Sequence, residues 1–211
     1  MDKLTPRDDM AVQIVFVRHG ESYGNIGLPT PAGYSEEDTP LTEYGLKQAE
    51  ALADYWFDGV DVAKIFASPF TRTVQTIYPT AKKLNKHIFL SADLLEVGST
   101  VCGADSDKLT AEFPLCISCT EELLPIPETE EQKTARAKRF VSFIALTYSA
   151  GETVVVATHG TFFSYLVRAA LNAEGDNCFN SQIDNSAVTV VALRKNEPPL
   201  LRTANNTSHL K

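Results

Sequence analysis

The chain lacks any apolar run long enough to span a bilayer, and it is poor in the residues that mark specialised protein classes. Only 11 glycines and 11 prolines occur among 211 residues, which excludes a fibrous or low-complexity chain. Positive charge is also scarce, because 19 lysines and arginines face 27 aspartates and glutamates, a formal net charge of −8. A nucleic-acid backbone or an anionic membrane surface needs a basic face, so neither is expected as the main partner. Any bound anion must be held by a few locally concentrated cations.

Cysteine is rare as well, and the chain contains four: Cys102, Cys116, Cys119 and Cys178. Cys116 and Cys119 have the spacing of a redox motif, but they lie in a stretch bordered by proline and glutamate, not at a strand-to-helix turn. No second cluster of cysteine and histidine completes a zinc site. Residues 1–9 also lack the apolar stretch of a secretory signal. We therefore expect reduced structural thiols, no bound metal and a cytoplasmic location.

Short apolar runs alternate along the chain with segments of helical periodicity. The β-branched runs predict five strands: Val12–Val17, Lys64–Ala67, His87–Leu90, Thr153–Thr158 and Ala187–Leu193. Helical spacing predicts four helices: Thr42–Phe57, Thr71–Leu84, Glu128–Tyr148 and Phe162–Leu171. Pro79 should kink or split the second helix, because proline has no backbone N–H. The alternation predicts an α/β fold, a single domain over residues 1–211 with a mostly parallel central sheet and helices on both faces.

Two segments depart from this alternation. Val97–Pro127 reads as irregular, punctuated by glycine and proline, and we interpret it as an insertion that roofs a ligand site at the carboxyl ends of the strands. The tail from Thr203 onward is polar and is expected to fray.

Residues suited to anion chemistry follow three of the predicted strands. They are Arg18, His19 and Gly20 after the first strand, Ser68 and Arg72 after the second, and His159 and Gly160 after the fourth. Two guanidiniums can bind phosphate oxygens bidentately and stay charged at any relevant pH. One imidazole can attack phosphorus and carry the group covalently, while the other stabilises the equatorial oxygens. This set of side chains indicates a site for phosphoryl groups.

The four histidines differ in their settings. His19 and His159 each follow an apolar strand and precede glycine, whereas His87 and His209 have no such setting. A lone histidine after a strand is more often structural, so the functional interpretation depends on the conjunction of both histidines with the arginines. We interpret His87 as structural and His209 as exposed.

The first strand with Arg18-His19-Gly20-Glu21-Ser22 resembles the signature of the histidine phosphatase superfamily, in its phosphoglycerate mutase-like branch. Further segments resemble the family's landmarks in the same order: Pro40–Ala49, Ala67–Pro69 with Arg72, Leu94–Glu96, Glu128–Thr129 with Arg136, Thr158–Gly160 and Asp184–Ser186. The resemblance extends from Val12 to Leu193, nearly the whole chain. It implies a phosphoglycerate mutase-like fold and phosphoryl-transfer activity.

The resemblance also implies a role for each matched residue. His19 would be phosphorylated in a covalent intermediate, and Glu96 would protonate the leaving oxygen and then deprotonate the water that releases phosphate. The phosphate pocket would consist of His159, Arg18, Arg72 and, as an accessory contact, Asn25. No metal or other cofactor is implied, because the arginines supply the positive charge that Mg²⁺ supplies elsewhere. Other carboxylates stay open as the proton donor: Glu21, Asp105 and Asp107.

The charge of the predicted roof favours hydrolysis of a small-molecule phosphomonoester. Between Val97 and Pro127, Lys108 is the only basic residue, against the acids Asp105, Asp107, Glu112, Glu121 and Glu122. Such a roof repels a second anionic group and favours neutral or apolar leaving groups. The alternatives are a phosphoglycerate mutase-like phosphotransferase, a phosphoprotein phosphatase or phosphopeptide-binding module, and a non-catalytic relative that binds phosphate. The last is disfavoured because both histidines and both arginines are present.

Overall fold

The computed structural model describes residue 4 and residues 11–99, 106–118, 127–173 and 182–211. The strands are β1 (Ala11–Arg18), β2 (Lys64–Ala67), β3 (Ile88–Leu90), β4 (Cys116–Ile117), β5 (Thr153–Thr158), β6 (Val188–Arg194) and β7 (Leu200–Asn206). The α-helices are α1 (Glu43–Trp56), α2 (Thr71–Leu84), α3 (Ser106–Glu112), α4 (Glu130–Thr147) and α5 (Gly160–Ala170). Short 3-10 helices lie at Tyr23–Asn25, Ala92–Leu94 and Ser208–Leu210.

The strands form a sheet in the order β4-β3-β2-β5-β1-β6-β7. The first five strands in this order run parallel, whereas β6 and β7 are antiparallel to their neighbours. A strand buried on both faces needs an unbroken apolar run, and every residue of β1 before Arg18 is buried. The predicted fold class is confirmed as a single α/β domain with a mostly parallel sheet.

Helices cover both faces of the sheet. Leu52 of α1 shares a core with Val15, and Phe163 of α5 packs edge-on against Phe16, at 5.9 Å between ring centroids. Neighbouring residues of β1 enter opposite cores because strand side chains alternate with a period of two. A ligand therefore reaches this sheet at the ends of its strands and not across its faces. None of the helices in the described residues has both the length and the apolar composition needed to cross a membrane.

The predicted strands and helices are found with small shifts at their ends. Lys64–Ala67, Thr71–Leu84 and Thr153–Thr158 have the predicted bounds. Thr42, the first residue of the predicted helix, is the N-cap of α1, since its hydroxyl accepts a hydrogen bond from the backbone N–H of Gly45 at 3.0 Å. Local sequence patterns were sufficient for these elements because each combines a clear apolar period with a distinct end signal.

Of the kink or split expected at Pro79, the split is wrong. Helix α2 runs unbroken through this proline. Pro79 removes one helical hydrogen bond, but Val74, Ile77 and Ala81 of the same helix are fully buried in the core that α2 shares with α1. Burial of this apolar face offsets the missing hydrogen bond.

The C-terminal residues do not fray. Leu200–Asn206 forms β7, an edge strand antiparallel to β6, where the sequence led us to expect a polar tail from Thr203. An edge strand is held by backbone hydrogen bonds, so its polar side chains carry no alternating apolar pattern. The strand was missed for that reason.

The two histidines outside the strand ends have settings opposite to those expected. His87 is exposed. His209 is buried, because the C-terminal 3-10 helix packs against α1. The indole N–H of Trp56 donates to Nδ1 of His209 at 3.3 Å, and the hydroxyl of Ser186 lies 2.9 Å from its Nε2. The interpretation of His87 as structural and His209 as exposed is therefore wrong.

The described part of Val97–Pro127 is not irregular, since it contains α3 and β4. Leu109 and Phe113 lie in the core with α1 and α2, so they extend the core and do not cover a site. β4 adds a parallel strand beside β3. Residues 100–105 and 119–126 of this segment lie outside the described residues.

Cys116, in β4, is a buried free thiol. Burial raises its pKa to about 12, so it stays protonated and unreactive at neutral pH, as expected of a structural thiol. The other three cysteines, Cys102, Cys119 and Cys178, lie outside the described residues. Among the residues described, no group of three or more histidine, cysteine or acidic side chains is arranged to hold a metal ion.

Candidate active site

The register of the parallel strands brings the two strand-end histidines side by side. Arg18 of β1 lies opposite Thr158 of β5, so the residues that follow, His19 and His159, are neighbours. Their ring centroids are 5.3 Å apart. Ser68, directly after β2, lies with its hydroxyl 2.8 Å from Nε2 of His159. Three strand ends thus meet at one point, at the carboxyl edge where open α/β sheets bind ligands.

His19 is buried as a neutral imidazole. Its Nδ1 lies 2.8 Å from the carbonyl oxygen of Gly20. A carbonyl can only accept, so Nδ1 carries the proton and Nε2 carries the lone pair. Burial lowers the pKa of His19 well below its usual range, and the charges of Arg72 and Arg18 lower it further. The ring is therefore uncharged at neutral pH, with an unprotonated Nε2.

His159 is completely buried behind His19. Burial lowers the pKa of His159 well below its usual range, and the charge of Arg72 lowers it further. Its ring meets that of Phe70 edge-on, at 5.1 Å between centroids. The Ser68 hydroxyl can donate to Nε2, which leaves the N–H on Nδ1, and Nδ1 is buried with no hydrogen-bond partner among the described residues. His159 can therefore donate a hydrogen bond to an anion.

Arg18 lies at the end of β1, close against the start of α5. Its Nη1 donates to the carbonyl of Ile183, and its Nε is buried without a hydrogen-bond partner among the described residues. A Cβ at Gly160 would lie 3.2 Å from that Nε. Glycine at this position leaves the room that the Arg18 guanidinium needs.

Arg72 lies in the first turn of α2 and is held from several sides. Its guanidinium lies 4.0 Å from the Asp38 carboxylate, donates to the carbonyl of Glu37 at 3.1 Å, and stacks 4.4 Å above the ring of Phe70. Asp38 also accepts hydrogen bonds from the backbone N–H and the hydroxyl of Thr71, at 2.7 and 2.6 Å. One carboxylate therefore caps α2 and orients Arg72. Sequence reasoning missed Asp38, because it lies in a loop more than 30 residues away.

The carboxylate of Glu96 lies at the N-terminus of α5. One oxygen accepts from the backbone N–H of Phe162 at 2.8 Å and from that of Val97 at 2.9 Å, and the other accepts from Thr161 at 3.1 Å. Burial lowers the pKa of Arg18, and the negative charge of Glu96 opposes that shift. Glu96 is thus held in one orientation beside the cationic pocket.

Asn25 lines the same cavity, with its side-chain oxygen already in use. That oxygen accepts from the backbone N–H of Ser22 at 3.1 Å and from the amide of Asn185 at 2.9 Å. The Asn185 amide also donates to the carbonyls of His19 and Gly20, each at 3.2 Å. The two asparagines stabilise the loop that carries the His19 ring.

The other carboxylates considered as proton donors lie elsewhere or outside the described residues. Glu21 accepts a hydrogen bond from the Thr42 hydroxyl at 2.8 Å and does not line the cavity. Asp107 lies on α3 and does not line it either. Asp105 lies outside the described residues. Of the described candidates, Glu96 is the one in the cavity.

One cavity of about 570 Å³ collects all six residues that the sequence singled out: Arg18, His19, Asn25, Arg72, Glu96 and His159. Its outer wall includes residues that sequence reasoning missed: Glu36, Glu37, Thr39, Ser164, Tyr165 and Gln182. They come from the loop before α1, from α5 and from the segment before β6. No local motif marks them, since only the fold brings these segments to the strand ends.

A model of the histidine phosphatase superfamily, branch 1, matches residues 14–206, and the chain belongs to that superfamily. The resemblance seen in the sequence is confirmed.

Individual relatives agree with this assignment. The chain is 27% identical over 176 residues to a Schizosaccharomyces pombe protein named "Probable phosphatase", covering 78% of this chain and 58% of that protein. The chain thus spans little more than half the length of this curated relative. Its fold is similar to that of Entamoeba histolytica phosphoserine phosphatase in complex with 3-phosphoglyceric acid, with a TM-score of 0.67, 19% identity, and 95% and 100% of the two chains covered. It is also similar to that of the α-ribazole phosphatase of Shigella flexneri, with a TM-score of 0.67, 17% identity, and 92% and 96% coverage.

Proposed function

We propose that the chain is a metal-independent phosphomonoesterase that works through a phosphohistidine on His19. The observation that carries the proposal is the neutral His19 imidazole, with its lone pair on Nε2, held beside His159 and two arginines in one cavity. A neutral nucleophile surrounded by fixed cations and hydrogen-bond donors is suited to attack an anionic phosphate.

The reaction divides into two transfers. In the first, Nε2 of His19 forms a bond to phosphorus, the bond from phosphorus to the leaving oxygen breaks, and the protonated Glu96 gives its proton to that oxygen. In the second, a water oxygen attacks phosphorus, the phosphorus–nitrogen bond breaks, and the Glu96 carboxylate takes a proton from the water. The charge on the equatorial oxygens is stabilised by Arg18, Arg72 and the N–H of His159. Glu96 ends each cycle protonated, as it began.

The cavity favours a small-molecule monoester over the alternatives. Its volume of about 570 Å³ lies within the range of small-molecule sites, whereas a phosphopeptide-binding module needs an extended groove. Among the described residues that line it, the cations are Arg18 and Arg72, both at the phosphate end. Glu36 and Glu37 also line the cavity, and the backbone carbonyl of Glu37 accepts a hydrogen bond from Arg72. A mutase needs further cations for a second anionic group, and two additional acids in the cavity disfavour one.

The proposal is tested by hydrolysis of 4-nitrophenyl phosphate and by covalent labelling. Activity should persist in EDTA, and His19→Ala should abolish turnover, whereas His87→Ala, at an exposed histidine, should retain it. A radiolabelled monoester should label the wild-type chain with an alkali-stable, acid-labile phosphate that is missing in His19→Ala. Loss of activity in EDTA with recovery on adding Mg²⁺ or Zn²⁺, or labelling that persists in His19→Ala, would overturn the mechanism.

The two enzymatic alternatives are separated by a substrate screen. Sugar phosphates, nucleotides, phosphoglycerates and phosphopeptides are compared by kcat/KM. The kcat/KM for monoesters with uncharged leaving groups should exceed that for phosphoglycerates. Phosphoryl exchange between phosphoglycerates without net release of phosphate would establish the mutase instead, and a preference for phosphopeptides would establish the phosphoprotein phosphatase.

A further inference from the structure

Arg136 is a buried cation that the mechanism above leaves without a role. It lies on α4 with 1% of its surface exposed. Its Nε and Nη2 donate to the two carboxylate oxygens of Glu128 at 2.8 and 2.6 Å, a bidentate pair whose partner is also buried. Replacing a buried ion pair by apolar residues is often neutral or stabilising, so stability alone is a weak reason for this pair.

The remaining contacts of Arg136 converge on the support of Glu96. Its Nη1 donates to the carbonyl oxygens of Asp93 and Leu95, each at 2.9 Å, and Leu95 directly precedes Glu96. Its guanidinium lies 3.7 Å from the ring centroid of Phe162. The backbone N–H of Phe162 is one of the donors that hold the Glu96 carboxylate. One planar group therefore contacts both the chain that leads into Glu96 and the helix turn that binds its carboxylate.

We propose that Arg136, held in register by Glu128, is a positioning residue that fixes the Glu96 carboxylate for proton transfer. The inference rests on the proposed role of Glu96. Lysine cannot replace Arg136, because an ammonium lacks the planar fork that binds Glu128 bidentately while reaching two carbonyls and stacking on a ring. Arg136 does not line the cavity, so the effect proposed here acts through Glu96 and not through contact with the substrate.

The test compares an alkyl phosphate with 4-nitrophenyl phosphate in wild type, Arg136→Lys and Glu96→Gln. The aryl leaving group departs with little protonation, whereas the alkoxide needs a proton from the acid. Arg136→Lys should lower kcat/KM for the alkyl ester about tenfold or more and for the aryl ester only about twofold. Arg139→Lys is the matched control, because Arg139 lies on the same helix, is exposed, and pairs with the side chain of Asp93. Its ratio of alkyl to aryl activity should equal that of wild type.

A double variant separates positioning from a merely structural role. In the Glu96→Gln background, Arg136→Lys should cause no further change in the alkyl-to-aryl ratio, because the group it positions no longer carries a proton. Equal losses on both esters, or a further change of the ratio in the double variant, would overturn the inference while leaving the proposed function intact. If Glu96→Gln itself leaves the ratio unchanged, the assignment of Glu96 fails, and the inference fails with it.

Glu128→Gln provides the same readout if Arg136→Lys does not fold. The amide keeps the shape of the partner and one acceptor oxygen but removes its charge, so the guanidinium is held less firmly. The ratio of alkyl to aryl activity should fall in the same direction and by less. An unchanged ratio in a folded Glu128→Gln protein overturns the inference.

Discussion

At the scale of single residues, the protonation state of His19 decides how the proposed reaction responds to pH. Burial and the two arginines lower the pKa of this ring well below its usual range. Protonation would remove the Nε2 lone pair, but it should set in only at a pH well below the usual pKa of histidine, about 6.5. The nucleophile is therefore present throughout the neutral range.

The corresponding prediction concerns kcat/KM for 4-nitrophenyl phosphate, which reports the first phosphoryl transfer. It should stay level between about pH 8 and about pH 6, because His19 is neutral in the folded protein across this range. A steady-state pH series in buffers of constant ionic strength checks this. A fall with an apparent pKa near 6.5 would mean that the nucleophile titrates like an exposed histidine.

Selection of the leaving group is also a property of individual residues. Glu36 and Glu37, in the loop before α1, are acidic residues that line the cavity together with the two arginines. Because the described residues of the predicted roof lie in the core or outside the cavity, the acidic repulsion expected from that roof is here attributed to the loop before α1. The expected preference for uncharged leaving groups is retained, with a different physical origin.

Reversing one of these charges should change the preference. Glu36→Lys should raise kcat/KM for 3-phosphoglycerate, relative to a phosphate ester with an uncharged leaving group, by roughly fivefold to tenfold at low salt. The reason is that an exposed charge pair contributes about 1 kcal/mol. Glu50→Lys, at an exposed position of α1 that does not line the cavity, serves as the control for net charge. The effect should shrink as salt increases. Equal effects of the two variants would show that only the overall charge matters.

At the scale of elements, the backbone of the loop after β1, residues 19–22, is in direct contact with the backbone of α1. A Cβ on Gly45, in the first turn of α1, would collide with the carbonyl oxygen of Glu21, and a Cβ on Gly20 would lie 2.9 Å from the carbonyl oxygen of Gly45. The backbone N–H of Thr42 also donates to the backbone carbonyl oxygen of Glu21 at 2.9 Å. The helix thereby sets the path of the chain just after His19.

Gly45→Ala should therefore damage both stability and activity. Alanine favours a helix over glycine by about 1 kcal/mol, but the collision forces the loop or the helix to move, at about 1–3 kcal/mol. The free energy of unfolding should fall, and kcat should fall more than tenfold, because small displacements of a nucleophile are costly. Gly59→Ala is not a clean control, since Gly59 has a positive φ of 68°. Ala51→Gly, at a half-buried position of the same helix, shows mainly the cost of helix propensity, and should leave kcat unchanged.

At the scale of the whole molecule, three buried histidines couple folding to pH. The pKa values of His19 and His159 are lowered well below the usual range, and burial lowers the pKa of His209 to about 4. Each ring binds its proton more readily in the unfolded chain. The stability that they contribute is therefore complete above the unfolded pKa of about 6.5 and is lost as the pH falls from there towards the folded values.

The free energy of unfolding should accordingly fall between about pH 7 and pH 5, by about 2 kcal/mol for His209 alone, with further loss from the two site histidines. Urea denaturation at a series of pH values measures it. His209→Gln keeps a polar, uncharged side chain and should lower the acid sensitivity by that amount, whereas His87→Gln should not, since His87 is exposed. Identical pH dependence in wild type and His209→Gln would contradict the assignment of His209 as a buried neutral ring.

Most of the fold could be predicted from local patterns. Apolar runs such as Val12–Val17 and Thr153–Thr158 read as buried strands because a parallel sheet covered on both faces needs apolar side chains at every position. Capping by Thr42 was equally readable, since it depends on residues three apart. The edge strand β7 and the continuity of α2 through Pro79 were not readable, because both depend on distant packing and backbone pairing.

The strand-end positions of Arg18, His19 and His159 follow from local sequence, because a strand and the residue that follows it are local properties of the chain. Three other relations depend on packing between distant segments. The rings of His19 and His159 lie 5.3 Å apart, Asp38 orients Arg72, and Arg136 binds the backbone directly before Glu96. Those relations join segments tens to more than a hundred residues apart. Strand register and helix packing create them, and no local period or motif records which distant side chain will lie against which.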